Sequence, residues 1–196
     1  MALSSVQIAN LALGKIGADS TIESLTENSA EANIVNLWFE HSREQTLSAF
    51  NWQFARKREA LATHADDPPG EWAYRYVYPA DCLIMRHIQL LVKTDDPIPF
   101  DIELSSGTKS ILTDLTDAIA IYTIDTTDTF LYTPWFIETF ATIIGGHIAL
   151  SLTGRPEIMV ALQTEGRNML VFANVMDASE KQEDPARDAD QIRGRA

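Results

Sequence analysis

The stretch Ala49–Leu61 reads AFNWQFARKREAL, and it decides where the first long helix ends and which element comes next. Three adjacent cations come directly after an aromatic run: Arg56, Lys57 and Arg58 follow Phe50, Trp52 and Phe54. The pattern predicts that the aromatic rings close a core and that the cations lie at a helix C-terminus, where positive charge complements the helix dipole. The apolar stems of the cations would cover the rings. The alternative is an anion site whose aromatics stack on nucleic-acid bases, and we favour the structural interpretation.

The residues before this stretch predict the best helix of the chain, which runs from about Ala30 to Phe50 and extends at most to Arg58. Its apolar positions form more than a single stripe: Ile34, Val35, Leu37, Trp38, Phe39, Leu47 and Phe50. Such a helix is buried on more than one side, either centrally or at a subunit contact. Three charged residues mark the predicted wetter face: Glu40, Arg43 and Glu44.

The texture between Tyr74 and Asp125 is that of short antiparallel strands joined by tight turns. Five segments carry it: WAYRYVYP, LIMRHIQLLV, FDIELS, KSILTD and AIAIYTID. The turn KTDDP separates the second segment from the third. We therefore predict a β module of four or five strands in this part of the chain.

The helical pattern returns at Pro134, a residue that suits a first helical turn. The run PWFIETFATIIGGHIALSLTG is apolar almost throughout and ends at Gly154. Gly145 and Gly146 inside it predict close helix packing or a bend. A further helix begins at Pro156.

The grouping of strands between helices indicates an α+β fold rather than an alternating parallel sheet. We predict a helical body of long antiparallel helices from residues 1–65 and 130–176, an inserted antiparallel β module at 66–129, and an extended polar C-terminal arm at 177–196. The arm has ten charged residues among twenty and only Ile192 as a sizeable apolar residue. Alone in solution such a segment should be disordered.

Composition and charge narrow the possible functions. The formal net charge is −13, and residues 101–150 hold one cation and seven acids. An acidic surface repels phosphate backbones, which disfavours general DNA binding. It would suit a channel wall along which DNA slides, and equally an ordinary soluble protein. Cys82 is the lone cysteine, so the chain has no internal disulfide and suits a reducing compartment. No apolar run reaches the roughly 18 residues that span a membrane, so we expect no membrane partner.

Few residue patterns indicate catalysis or a metal, and we expect no cofactor. Four histidines lack metal-ligand spacing: His41, His64, His87 and His147. His147, on an apolar helix, predicts a packing role, and a Cys82–His87 pair would have its members on opposite faces of a strand. A hydrolase needs two carboxylates; Glu40 and Glu44 lie one helical turn apart, and four acids crowd the β module: Asp114, Asp117, Asp125 and Asp128. Carboxylates at such spacings are usually solvated.

Several segments resemble the tail tubular protein A family, the head-to-tail adaptors of short-tailed phages. Residues 8–61 combine a short helix, a loop with I-x-S-L, a long helix and the motif W-x-F-A-x-x-R. The segment YRYVYPADCLIMRHI is similar to the tyrosine-rich strand of that family, which ends in Y-P-x-D-C. The segment TPWFIETFATIIGGHIALSLTG resembles the apolar helix that follows, whereas the last helix and the tail match in character only. The resemblance covers residues 1–175.

The resemblance implies a structural virion protein without enzymatic activity. Twelve copies would form a ring between the portal vertex and the tail nozzle protein, with DNA passing through the centre without specific binding. The ring would be assembled in the host cytoplasm and lie in the virion tail. Loops of the β module would face the nozzle. Related adaptors are sometimes described as cell-wall hydrolases, so a muramidase-like virion hydrolase is one alternative and a small nucleic-acid-binding module is another.

The resemblance also suggests where the contacts lie. The charged arm would fold on binding and dock on the portal, as disordered segments can. Its candidate contact residues are Asp184, Arg187, Asp190, Ile192, Arg193 and Arg195. The cations Arg56, Lys57 and Arg58 would either lie at the helix end or meet carboxylates of a neighbouring subunit.

Overall fold

The computed structural model describes residues 3–90, 98–105 and 107–178, and within these ranges the chain has an α+β fold, as predicted. The helices are α1 (Ser5–Lys15), α2 (Ala30–Ala49), α3 (Pro134–Thr153) and α4 (Pro156–Ala178). The strands are β1 (Arg56–Ala60), β2 (Tyr74–Val77), β3 (Cys82–Gln89), β4 (Asp101–Ser105), β5 (Thr108–Thr113) and β6 (Ile119–Ile124). Short 3₁₀ turns at Gln53–Ala55 and Thr129–Leu131 precede β1 and α3.

Helix α3 forms the centre of the helical body and packs against α1, α2 and α4. The Thr133 side chain caps it by accepting a hydrogen bond from the Phe136 N–H, and Gly154 ends it in the left-handed conformation with φ 65°. By length and composition α3 could cross a membrane, so the expectation that no run was long enough is wrong. Of its most apolar window 61% is buried inside the protein, as in the core helix of a globular protein.

Two glycines of α3 allow α4 to approach closely. A Cβ atom added at Gly145 would lie 3.2 Å from Leu162 Cδ1, and one added at Gly146 would lie 3.3 Å from Gln163 Cγ. Both distances are shorter than ordinary van der Waals contact. The close packing predicted from this glycine pair is therefore confirmed.

The six strands form two antiparallel three-stranded sheets, with the orders β1-β6-β3 and β2-β5-β4. A second, smaller core lies between them and consists of Tyr76, Met85, Ile88, Ile111, Ala118, Ala120 and Tyr122. All five predicted strand segments contain a strand. The alternation of apolar and polar residues, interrupted by turn residues, was a sufficient signal for these strands.

The sixth strand, β1, was not predicted, and it corrects the boundary of the helical body. Helix α2 ends at Ala49, and Phe50 is already extended, with φ −144° and ψ 162°. Trp52 is buried and its indole N–H donates to the Thr46 carbonyl at 2.8 Å, which turns the chain back beneath the helix. The β module therefore begins at Arg56 and not at residue 66, because β1 pairs with β6 along its whole length.

Some predictions concern residues outside the described ranges. The turn KTDDP and the end of the second strand segment fall within 91–97. The predicted arm at 177–196 overlaps α4 at Asp177 and Ala178, and its other residues lie outside the described part of the chain. The same is true of the six candidate portal contacts: Asp184, Arg187, Asp190, Ile192, Arg193 and Arg195.

Candidate functional site

Arg86 on β3 caps the C-terminus of α2. Its Nη2 group lies 3.2, 3.1 and 2.5 Å from the carbonyl oxygens of Leu47, Ser48 and Phe50. Its Nε–H donates to Thr123 Oγ1 on β6 at 2.9 Å. The last carbonyls of a helix have no partner within the helix, so a guanidinium placed across them supplies hydrogen bonds and a favourable charge. Burial lowers the pKa of Arg86, but an arginine remains protonated near neutral pH.

The prediction that Arg56, Lys57 and Arg58 lie at a helix C-terminus is wrong. These residues lie in β1, and the helix has ended at Ala49. Arg86 fills the predicted role from a distant strand. Charged residues have little intrinsic preference for strands, so the pairing with the apolar strand β6 decides the conformation of β1.

Arg43 is a second cation that joins the helical body to the β module. It is 3% exposed, and its guanidinium binds the Asp125 carboxylate, the Thr126 carbonyl at 3.1 Å and Glu40 Oε2 at 2.7 and 3.0 Å. Burial opposes its charge, but hydrogen bonds to the two carboxylates raise the pKa of Arg43 above its ordinary value. The prediction that Arg43 lies on the solvent-exposed face of α2 is therefore wrong, whereas Glu44, predicted on the same face, is exposed.

Lys57 is neutralised by acids within the β module. Its Nζ lies 2.7 Å from Asp81 Oδ2 and 3.0 Å from Glu59 Oε2. The Tyr122 hydroxyl lies 2.7 Å from Glu59 and 2.9 Å from Asp81, so the four side chains form one cluster. Hydrogen bonds from Tyr122 and Lys57 lower the pKa of Glu59. Lys57 therefore has two internal carboxylate partners and does not need a partner on another chain.

Arg56 and Arg58 are the cations of β1 that remain available. With the Gln89 amide oxygen turned toward it, Arg58 donates from Nη2 at 2.6 Å and from Nε at 3.2 Å. Neither arginine forms an ion pair with a carboxylate among the residues that the structure describes. Because side chains alternate along a strand, both lie on one face of β1. The basic cluster is thus reduced to two arginines on an acidic chain, which weakens the nucleic-acid interpretation.

The aromatic run packs into the helical core, as predicted. The Trp52 ring meets the Phe50 ring at 5.5 Å and the Phe136 ring of α3 at 5.1 Å, both edge to face. The Phe54 ring lies 5.0 Å from Phe136. Because Trp52 is buried, its ring is not available for stacking on nucleic-acid bases.

His147 packs between α2 and α3 as a half-buried aromatic residue. Its ring stacks on Trp38 at 4.5 Å and 4°, and its Nε2 lies 3.2 Å from Gln45 Oε1. Burial and the neighbouring His41 lower the pKa of His147. The adjoining hollow has a volume of about 190 Å³, smaller than the roughly 300 Å³ at which ligand pockets begin. Within the described ranges, no three side chains of His, Cys, Asp or Glu are placed to hold a metal ion.

The surroundings of Cys82 do not activate its thiol. The Sγ–H donates to the Tyr78 hydroxyl at 3.2 Å. Burial raises the pKa of Cys82, and the charge of Asp81 adds to the effect. A nucleophilic cysteine needs the opposite shift, because the thiolate is the reactive form.

Four of the six carboxylates considered for hydrolysis have structural partners. Glu40 and Asp125 bind the buried Arg43. Asp114 accepts a hydrogen bond from the Ala73 N–H at 3.0 Å, and Asp128 accepts one from the Phe130 N–H at 3.0 Å. These contacts fix turns and the junction of the two cores, and they give no support to a pair of catalytic carboxylates.

An apolar surface near the end of α4 is the most prominent candidate for a contact with another chain. The Trp135 ring on α3 meets the Phe172 ring on α4 at 4.8 Å, and the side chains are 43% and 45% exposed. Val171 and Val175, one turn apart, are 69% and 63% exposed. We call these four residues the α4 apolar strip. Large exposed apolar patches mark interaction sites on soluble proteins.

The end of α4 is fixed to the chain segment that enters β1. The Asp177 carboxylate is buried and accepts a hydrogen bond from the Gln53 N–H at 2.9 Å. The described end of α4 therefore lies beside the junction between the helices and the β module.

No protein-family model and no curated protein matches this chain. The sequence directed attention to β1 but missed Arg43 and Arg86, which join the two cores. Arg86 interrupts the apolar segment LIMRHI, and an arginine within such a segment is a signal of a paired cation. Arg43 lies among polar residues and gives no such signal.

Proposed function

We propose that this protein is a structural virion subunit, the head-to-tail adaptor that forms a ring between a phage portal and the tail nozzle protein. The α4 apolar strip is the observation that carries the proposal. The net charge of −13 keeps the chain soluble, so solubility does not explain why the four apolar side chains of the strip are exposed. Such a surface is stable when a partner chain covers it.

In this proposal the helices are long antiparallel members of a body, and the arm after residue 178 extends from that body onto the portal. The contacts of the buried Arg43 and the partly buried Arg86 support a rigid connection between body and β module, because breaking either would leave a charged group without its partners. A rigid subunit suits a ring that must hold its shape. Acidity suits a channel that does not bind passing DNA.

The proposal is tested by placing a charge on the α4 apolar strip. Val171→Asp should leave the fold intact, because the side chain is 69% exposed. It should prevent assembly with the portal of the virus that encodes the protein, since a buried unpaired carboxylate is costly. Val160→Asp is a matched control, since Val160 is a 56% exposed valine of the same helix outside the strip.

Portal binding is read by sedimentation of the mixed components, and folding by the thermal transition of each variant. The proposal predicts that wild type and the Val160→Asp control join the portal, whereas Val171→Asp does not. A Val171→Asp variant that joins the portal as wild type does would contradict the assignment of this surface.

A further inference from the structure

The described residues of the β module have four outer strands, β1 and β3 in the first sheet and β2 and β4 in the second. Strand β3 pairs with β6, and two register shifts along it make its edge irregular. Strand β1 pairs only with β6, and strand β4 only with β5, among the described residues. The outer edge of β2 is covered, because the Val77 N–H donates to the Ala62 carbonyl at 2.8 Å and the His64 N–H donates to the Arg75 carbonyl at 2.9 Å. Open edges offer unpaired backbone donors and acceptors to another chain.

The path of the chain separates the β1 edge from the β4 edge. The segment that follows β1 passes directly onto the outer edge of β2, so β1 and β2 share one side. In the order β2-β5-β4, strand β4 is on the far side of the second sheet. Each copy can therefore contact one neighbour through its β1 edge and a second neighbour through its β4 edge.

Strand β4 exposes apolar side chains beside its free edge. Its sequence is DIELS, and on one face it exposes Ile102 by 41% and Leu104 by 71%. The Ile102 N–H donates to Asp101 Oδ1 at 2.8 Å. Natural proteins usually blunt such an edge with lysine, proline or a bulge. The sequence DIELS contains no lysine or proline, so this edge can accept a further strand.

The charges of the two edges are complementary. Strand β1 carries Arg56 and Arg58 at alternate positions on one face, without internal carboxylate partners among the described residues. Strand β4 carries Asp101 and Glu103 at alternate positions on one face. Glu103 also binds Arg75 at 2.7 Å, but its side chain is 43% exposed. The two arginines and the two acids have the same spacing. If the strands paired, each arginine would therefore lie opposite an acidic residue.

We propose that the β1 edge of one copy pairs with the β4 edge of a second copy of this chain, so that the sheets continue from subunit to subunit. The inference rests on the proposed ring and specifies one of its contacts. Such a contact joins two different surfaces, so it is heterologous and generates a closed ring or an open filament. Pairing of two β1 edges or two β4 edges would place like charges together, which selects against a simple dimer.

Reversing the charge of each edge tests this pairing. Arg56→Glu/Arg58→Glu makes both edges acidic, and Asp101→Lys/Glu103→Lys makes both edges basic. Each double variant should self-associate about tenfold to a hundredfold more weakly than wild type, because attraction is replaced by repulsion at two cross-strand pairs. An equimolar mixture of the two variants should recover association, since every acidic edge then meets a basic one. The measurement is sedimentation velocity over a concentration series, with circular dichroism to establish folding.

A control with the same change in net charge uses exposed cations outside the module, Arg155→Glu/Arg167→Glu, and it should associate as wild type does. Edge variants that associate as wild type does, a mixture that fails to recover, or wild-type protein that stays monomeric at every concentration would each overturn the inference. The proposed function is judged separately, by whether a ring forms on the portal. A ring that is insensitive to both edge variants would leave the proposed function standing and remove only this contact.

Discussion

Replacing Arg86 by methionine tests the junction between the helical body and the β module. Methionine keeps an unbranched apolar stem of similar length, so the packing of β3 is largely preserved. The substitution removes the donors that satisfy the Leu47, Ser48 and Phe50 carbonyls and the bond to Thr123. The variant therefore isolates the hydrogen bonds and charge of the cap.

The expected loss follows from the number of donors. Nε supplies one N–H and Nη2 supplies two, so three hydrogen bonds are shared among four acceptors. At about 1 kcal/mol net for each bond, the loss is roughly 3 kcal/mol. The lost favourable charge at the helix end adds about 0.5 kcal/mol, and water reaching the partly exposed Ser48 and Phe50 carbonyls returns about 1 kcal/mol. We expect the free energy of unfolding to fall by about 2–3 kcal/mol, which corresponds to a Tm lower by about 5–10 °C for a chain of this size.

The assay is urea unfolding followed by circular dichroism and tryptophan fluorescence. Arg56→Met is the matched control, because Arg56 is the cation that the sequence placed at this helix end; its loss should stay within about 0.5 kcal/mol. If Arg86→Met fails to fold, Arg86→Lys retains the charge without the planar fork and should lose about 1–2 kcal/mol. An Arg86→Met variant as stable as the Arg56→Met control would refute the capping role.

Four further results are expected. Gly14→Ala in α1, where an added Cβ meets nothing within 4 Å, should stabilise the protein by about 0.5–1 kcal/mol in urea unfolding, and a loss would contradict the helical conformation there. Gly154→Ala should destabilise it by about 1 kcal/mol in the same assay, because φ is 65°, and an unchanged midpoint would contradict the left-handed helix end. Cys82 should react with a thiol reagent more slowly than the unfolded protein at pH 8, and faster as pH rises through its raised pKa, since the thiolate is the reactive form; equal rates would contradict burial of the thiol. Truncation after Ala178 should leave the thermal transition unchanged, whereas truncation before Asp177 should lower stability by about 1–2 kcal/mol through loss of the bond to the turn before β1; equal transitions would contradict that anchor.

The elements that the sequence predicted are those with local signals. Helix α3 begins after a threonine cap with Pro134 in its first turn and ends at Gly154, and each residue acts through its own backbone geometry. The five strands between Tyr74 and Asp125 alternate in polarity and are separated by turn residues. The close approach of α4 to α3 at Gly145 could also be predicted from the residue type, because only glycine leaves room for the facing helix.

The features that escaped prediction depend on residues far apart in the chain. Strand β1 exists because β6 pairs with it, and nothing within RKREA indicates a strand. The cap of α2 comes from Arg86, nearly forty residues beyond the helix end, as the hydrogen bond to the Ser48 carbonyl across 38 positions illustrates. The sequence also does not distinguish Lys57, which has two carboxylate partners in the β module, from Arg56 and Arg58, which have none among the described residues.

Single-particle electron microscopy of the purified protein mixed with its portal tests the central claim most directly. The account predicts a closed ring of this chain stacked coaxially beneath the portal, because heterologous contacts can close into a ring. The β modules should lie at the end of the ring away from the portal. Portal particles without a ring, or with isolated monomers bound at irregular positions, would contradict the assignment as an adaptor subunit.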